Sequence, residues 1–291
     1  MSVDKLSLEV QISRLQNLPP LPAVVPHVIR LVESENASAA DLEQVIKTDA
    51  ALTVKLLRTA NSAYYRTGDM QVMSVRRAVA ILGTRVVRSI TLGVAFRGMF
   101  GTGEIRCASM NRENWWRHCL AVAVGSRILG ALTQAIDPEE AFLSGLLHDV
   151  GKMCLDHLLP EEMARVILRT SRSEVSMQEA ETAVLGFDHT EIGDLAAEKW
   201  GLPGPVHSAI VKHHSPGTCD LSVDHVPIVY AVHTANWLAH ELGFDLGVGE
   251  ARRAADPEVL KCLDLPSAQY EPIKKVISLE VERAQQAYSV E

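Results

Sequence analysis

Apolar residues along this chain recur at three- and four-residue spacing, and the polar positions between them punctuate the pattern as helix starts and stops. Ser38-x-x-Asp41 has the form of a capping box, and apolar positions follow at Leu42, Val45 and Ile46 and onward through Leu52, Leu56 and Leu57. Asp137-Pro138-Glu139-Glu140 sets a capping carboxylate, a first-turn proline and first-turn acids ahead of the apolar run from Phe142 to Leu147. Asp188-x-x-Glu191 opens another helix, which Gly201 and Pro203 close just after Trp200. Pro205 predicts a short helix running into His213-His214, with Pro216 ending it, and Asp256-Pro257 and Pro272 mark two further starts. Ile273, Val276, Ile277, Val281 and Ala284 give the tail one apolar face, which predicts a helix packed on the body, with self-association as the second reading. Strict alternation is nearly missing, and Ile228-Val-Tyr-Ala-Val232 is the one stretch that reads as a candidate strand. The pattern predicts an all-α protein.

Leu18-Pro-Pro-Leu-Pro22 cannot itself be helical and sets the entry to the first helical region. Glycines between Gly98 and Gly103 predict a turn and the best boundary. The expected organisation is a helical subdomain over 15–105, a second over 106–245 and a helical extension over 246–291. Ten of the eleven histidines, all but His27, fall in the second of these.

Composition then narrows the class. With 47% apolar and 22% charged residues over 291 positions, most of the chain can form a core, which excludes disorder. Aromatics are only 5%, which argues against extended base-stacking platforms. The N-terminus lacks an apolar signal region, and no apolar run approaches the roughly 18 to 20 residues of a membrane span. Five widely spaced cysteines without a CxxC disfavour a disulfide framework, so a reduced cytoplasm is the expected compartment.

The net charge of −8 argues against a chain built wholly around nucleic acid or anionic membrane. That charge is unevenly spread. Residues 51–106 carry Lys55, Arg58, Arg66, Arg76, Arg77, Arg85, Arg88, Arg97 and Arg106 against only Asp69 and Glu104, a window of +7 that leaves −15 for the remainder. Within it, the run from Ala78 to Arg88 has a faint helix–Gly–helix character. The leading reading is that the basic half docks on the acidic half or caps helix C-termini. A partner with an acidic face comes second, and nucleic-acid binding through 51–106 is the weakest alternative.

Five sites in the second region carry chemistry: His118, His148-Asp149, His189, His213-His214, and a helix holding His233, Asn236, Trp237 and His240. Neutral imidazole and carboxylate suit first-row divalent metals, and one carboxylate can bridge two of them. Two such ions, about 3.5–4 Å apart, activate water and clamp a phosphate. A lone histidine is ordinarily a satisfied core residue, so the bland reading is a polar seam between helices.

The surrounding residues carry a resemblance. Gly145-Leu-Leu-His-Asp-Val-Gly-Lys152 resembles the HD motif of metal-dependent phosphohydrolases, and Trp116-Arg-His118-Cys-Leu-Ala-Val-Ala123 is similar to that superfamily's first histidine helix. Asp188-His189-x-x-Ile-Gly193, Trp200-Gly-Leu-Pro203 and Ala209-Ile-Val-Lys-His-His-Ser-Pro216 continue the match in order. Upstream, Asp49-Ala-Ala-Leu-Thr-Val-Lys-Leu-Leu-Arg-Thr-Ala-Asn-Ser-Ala-Tyr-Tyr65 and Ser74-Val-Arg-Arg-Ala-Val-Ala-Ile-Leu-Gly83 resemble the HDOD family, the HD-related output domain of bacterial signalling proteins. The resemblance covers about residues 15–245. It implies a multi-helix fold with an N-terminal helical subdomain and an HD-like bundle, and a regulatory role without catalysis. A receiver, kinase or other signalling regulator is the implied partner, with a nucleotide ligand and a homodimer as further expectations.

Carried over residue by residue, His118, His148, Asp149, His189, His213 and His214 fall on metal-ligand positions, and Lys152 falls where a basic residue would meet substrate phosphate. The match departs at the last ligand, where Asn236 stands in place of the superfamily's Asp, and the Gly-Tyr-Pro element after the double histidine is replaced by Ser-Pro-Gly-Thr-Cys219. Asn can coordinate through its carbonyl oxygen, but it is neutral and cannot bridge two cations. The expected cofactor is therefore at most a divalent metal (Fe, Mn, Zn or Ni) at a degenerate HD site. His233 and His240 share the helix face of Asn236, as substitute ligands or, preferably, as ordinary hydrogen-bonded histidines. The expected function is a non-catalytic signalling protein acting through protein contacts. The alternative is a metal-dependent phosphodiesterase acting on a nucleotide or cyclic dinucleotide.

Overall fold

The computed structural model describes residues 18, 24–33, 38–66, 68, 71–101, 111–173, 175–220, 225–247 and 254–288. The prolines of 19–22, Asp69, Gly103, Glu104 and Arg106, all singled out above, lie outside the described residues.

An N-terminal group holds α1 (Val24–Glu33), α2 (Ala39–Ile46), α3 (Ala50–Ala60), α4 (Val75–Leu82) and α5 (Thr84–Gly101). The Ser38–Asp41 capping box forms as expected, each side chain bonding the other's backbone amide. The periodic stretch from Leu42 to Leu57 divides into two helices, however. Thr48 bonds back to Val45, and the Asp49 carboxylate caps Leu52, so a new helix starts after Lys47. Asn61 ends α3, and its side chain bonds Leu57 and both backbone groups of Val72. It clamps the loop that carries Tyr64 and Tyr65, a role the sequence left unread.

The second group is built around α6 (Arg112–Thr133), whose residues from Trp115 to Gly130 are mostly buried. A helix apolar on all sides belongs at the centre of a bundle, and α6 packs against α7 (Pro138–Leu147), α13 (Val226–Glu241) and α15 (Tyr270–Tyr288). Around these lie α8 (Val150–Leu158), α9 (Pro160–Ser173), α10 (Met177–Leu185), α11 (His189–Trp200) and α12 (Gly204–Lys212), with α14 (Pro257–Cys262) leading into the tail. Caps fall where the punctuation predicts: Asp137 on Glu139, the Asp188–Glu191 capping box, a left-handed Gly201, and Asp256 on Glu258. The described residues contain helices and no strand.

Two expectations are corrected. Ile228–Val232 lies in α13, not in a strand. Pro227 sits in the first turn, and Ile228, Val229, Ala231 and Val232 are buried against neighbouring helices, so burial on several sides erased the amphipathic signature and overrode β propensity. Gly98 to Gly101 continue α5 and are not part of a turn. Two helical glycines cost roughly 1 kcal/mol each against Ala, and packing of Leu92, Val94, Ala95 and Phe96 outweighs that.

The tail behaves as the packing helix its pattern predicts. Ile273, Ile277, Val281 and Ala284 are buried along α15, while Val276 is exposed. Its end reaches both groups: the Tyr288 hydroxyl meets that of Tyr65 at 2.8 Å, its ring lies edge-on to Trp116, and Thr59 bonds the carbonyl of Ala287. Gly93 of α5 supplies the space, since a β-carbon there would press on the Tyr288 ring.

Candidate metal centre

Asp149, at the junction of α7 and α8, is the hub. Its Oδ2 lies 3.5 Å from His118 Nε2 and 3.4 Å from His148 Nε2, while Oδ1 lies 3.4 Å from His189 Nε2 and 3.6 Å from His213 Nε2. His214 Nε2 is 3.1 Å from His189 Nε2. Two groups of ligand atoms therefore share one carboxylate: His118 and His148 on one side, and His189, His213 and His214 on the other. All are buried except His214, which is partly exposed.

The local sequence explains the convergence. His148 caps α7, and Asp149 starts α8 without spending its carboxylate on a cap bond. Gly151 lets α8 approach α11, because a β-carbon there would overlap the carbonyl oxygen of His189. His213 follows the last residue of α12, so the double histidine sits where that helix ends.

Each of the four innermost rings is oriented by its other nitrogen. His118 Nδ1 donates to the carbonyl of Phe244 at 2.8 Å, His148 Nδ1 to Gly145 at 2.7 Å, and His213 Nδ1 to Ala209 at 2.9 Å. His189 Nδ1 bonds the Glu181 carboxylate at 2.6 Å, and the same oxygen accepts the backbone N–H of His189. A carbonyl can only accept, so the protons sit on Nδ1 and the Nε2 lone pairs point inward. His148 Nε2, His213 Nε2 and Asp149 Oδ1 are buried without a hydrogen-bond partner. Lone pairs converging on a carboxylate repel one another, and buried unpaired polar groups are costly. A cation between them resolves both problems, so these residues fit a divalent metal.

Burial favours the neutral imidazole at three of these histidines. Burial drives the His148 imidazole down to about 3 and pushes His213 below its ordinary range and His214 well below it. Burial also presses His189 down, but the carboxylates of Glu181 and Asp149 together outweigh it and raise the group. Burial would raise the Asp149 carboxyl, but the fields of His148 and Lys152 hold it well below the usual carboxylate range. Lys152 Nζ lies on Asp149 Oδ2 at 2.8 Å and is itself buried.

Six of the expected ligands and Lys152 are thus brought together. Asn236 lies in the wall of an adjoining cavity of about 500 Å³, together with His214, His233, Trp237, His240 and Asp256. Its Oδ1 is buried without a hydrogen-bond partner. His233 is a structural residue: Nδ1 donates to the His213 carbonyl at 2.7 Å, and Nε2 accepts the Asp256 amide at 3.2 Å. His240 lies beside His118, with ring centroids 5.0 Å apart and planes tilted by 49°. Sequence reasoning missed Glu181. Its signal was a carboxylate on the otherwise apolar stripe Met177, Ala180 and Leu185 of α10.

Comparison with known proteins places this architecture. An uncharacterised protein of Treponema pallidum (strain Nichols) is 26% identical over 206 residues, covering 69% of this chain and 38% of its own length. The HDOD domain protein of unknown function from Geobacter sulfurreducens superposes with a TM-score of 0.78 at 20% identity, covering 98% of this chain and 99% of its own. A candidate signal transduction protein of Marinobacter aquaeolei VT8 gives 0.77 at 22% identity, with 98% of this chain and 64% of its own covered. A candidate phosphohydrolase of Shewanella amazonensis SB2B gives 0.74 at 18% identity, with 96% and 98% covered. These solved structures share the fold. The family model for the HDOD domain matches residues 18–216, well over half of the sequence, and the chain belongs to the HDOD family.

Proposed function

We propose that this protein is a regulatory signalling module that holds a divalent metal at the Asp149 centre and does not hydrolyse phosphate esters. The observation that carries this reading is the placement of Lys152. The cation that would meet a substrate phosphate is buried, and its ammonium is already engaged by the hub carboxylate. Asn236 supports the same reading, since a neutral amide stands in the cavity wall in place of the superfamily's last carboxylate ligand. Asp256 adds an acidic group to that wall, and no Lys or Arg lines it among the described residues. The signal passes through contacts with a receiver, kinase or similar regulator, and the metal fixes the helices that present those contacts.

The second reading is a metal-dependent phosphohydrolase, favoured by the convergence of six ligand-type residues on one carboxylate-centred site. A bound divalent ion there supplies a Lewis acid and an activated water. The deciding experiment loads the protein with Fe, Mn, Zn or Ni and follows release of product from cyclic dinucleotides and nucleoside phosphates. The expected result is no turnover by the wild-type chain. Sustained turnover that disappears in His213→Ala would overturn the regulatory reading in favour of the enzyme.

A further inference from the structure

The two oxygens of Asp149 are not equivalent. Oδ1 faces His189 and His213 and has no hydrogen-bond partner, whereas Oδ2 faces His118 and His148 and already carries the Lys152 ammonium. The lysine is preorganised for that position. It sits in the first turn of α8, its own backbone amide bonds the Asp149 carbonyl at 2.9 Å, and its side chain needs only to fold back over three residues. We infer that Lys152 is a built-in cation filling the second ion position, so the centre takes one divalent metal, at the His189, His213, His214 and Asp149 Oδ1 half. This rests on the metal reading above and sharpens it to a stoichiometry and a location.

Charge and donor count both support the assignment. With neutral imidazoles, Asp149 and Glu181 against Lys152 leave the buried centre at −1, so one divalent ion brings it to +1 and two bring it to +3. Accumulating charge without water is strongly unfavourable. The His189 half offers three imidazoles and an unengaged carboxylate oxygen, the four donors that suit a first-row ion. The other half offers two imidazoles and an oxygen already bonded to an ammonium. A metal entering there must displace a side chain that is almost completely buried.

Zinc equilibrium dialysis with elemental analysis of the full chain tests this without reference to catalysis. The wild type is expected to hold one zinc per chain, and Lys152→Met and Lys152→Gln, whose folding is checked by circular dichroism, are expected to hold two. Paired replacement His118→Ala/His148→Ala is expected to keep the single zinc, whereas His213→Ala/His214→Ala loses it. Two zinc ions in the wild type, or one zinc in wild type and lysine variants alike, overturns the inference while leaving a metal centre in place. No zinc in the wild type overturns the metal reading on which it rests. If the lysine variants do not fold, the histidine pairs decide: loss of the ion from the His118/His148 pair places it in the wrong half and overturns the inference.

Discussion

Glu181 shows how a single side chain sets the centre. Its carboxylate fixes both the ring and the backbone of His189, and charged acceptors of this kind raise ligand basicity. Glu181→Gln is expected to weaken zinc affinity about 10- to 100-fold, read by competition with a chromophoric chelator, while affinity equal to wild type contradicts the role. Gly151 is the other sensitive position. Gly151→Ala forces α8 away from the His189 carbonyl and is expected to cost about 3 kcal/mol in urea unfolding, as overpacking does. The converging histidines were legible because His118, the His148-Asp149 pair, His189 and the double histidine follow the order of the motifs they resemble. Glu181 was not, because a carboxylate on a helix reads as solvated unless its stripe is known to be buried. His233 is hydrogen-bonded, as its preferred reading in the sequence expects, but its partners His213 and Asp256 lie 20 and 23 residues away and only the fold identifies them.

At the scale of elements, capping residues made the helix starts legible, and burial decided what they did not. Asp137, Asp188 and Asp256 each cap the helix their sequence announces. The β-branched run in α13 and the glycines of α5 misled because tertiary packing overrode local preference in both. The tail helix is the element with the largest structural leverage, because Tyr288 joins the N-terminal group to the histidine bundle. Tyr288→Phe is expected to cost about 1 kcal/mol for the lost hydroxyl pair. Tyr288→Ala should cost about 4 kcal/mol. Equal unfolding midpoints for the two variants would contradict this. The same cluster predicts alkaline behaviour. Burial raises Tyr64 and Tyr65, and raises Tyr288 well above the ordinary value of about 10. The folded state therefore retains protons that the unfolded chain releases, so stability is full below pH ~10 and falls as pH rises beyond it. Absorbance of ionised tyrosine should rise for these three residues only as the chain unfolds. Their smooth titration in the native protein would contradict the packing.

Across the whole molecule, the polarity hidden in the net charge has a structural counterpart. Arg85 pairs with Asp137, Arg97 with Glu113 at 2.7 Å, and buried Arg88 lies in the field of Glu140 and Glu139. These three arginines of the N-terminal group thus face acidic residues of α6 and α7, as the docking reading expects. Anisotropy of a labelled DNA duplex is accordingly expected to stay flat at low salt. A shift that falls steeply with salt would support the nucleic-acid reading instead. Neutralising Arg85, whose side chain is largely exposed, should change stability by less than about 1 kcal/mol, because an ion pair open to water contributes little singly.

Asp149 and its histidines form either a metal centre or a packed polar seam. Anomalous diffraction from crystals of the zinc-loaded protein decides between them most directly. The predicted result is one strong peak about 2.0–2.2 Å from the Nε2 atoms of His189, His213 and His214 and from Asp149 Oδ1, with Lys152 still on Oδ2. Full zinc-free occupancy of the same side-chain positions, with any bound metal elsewhere on the chain, would contradict it.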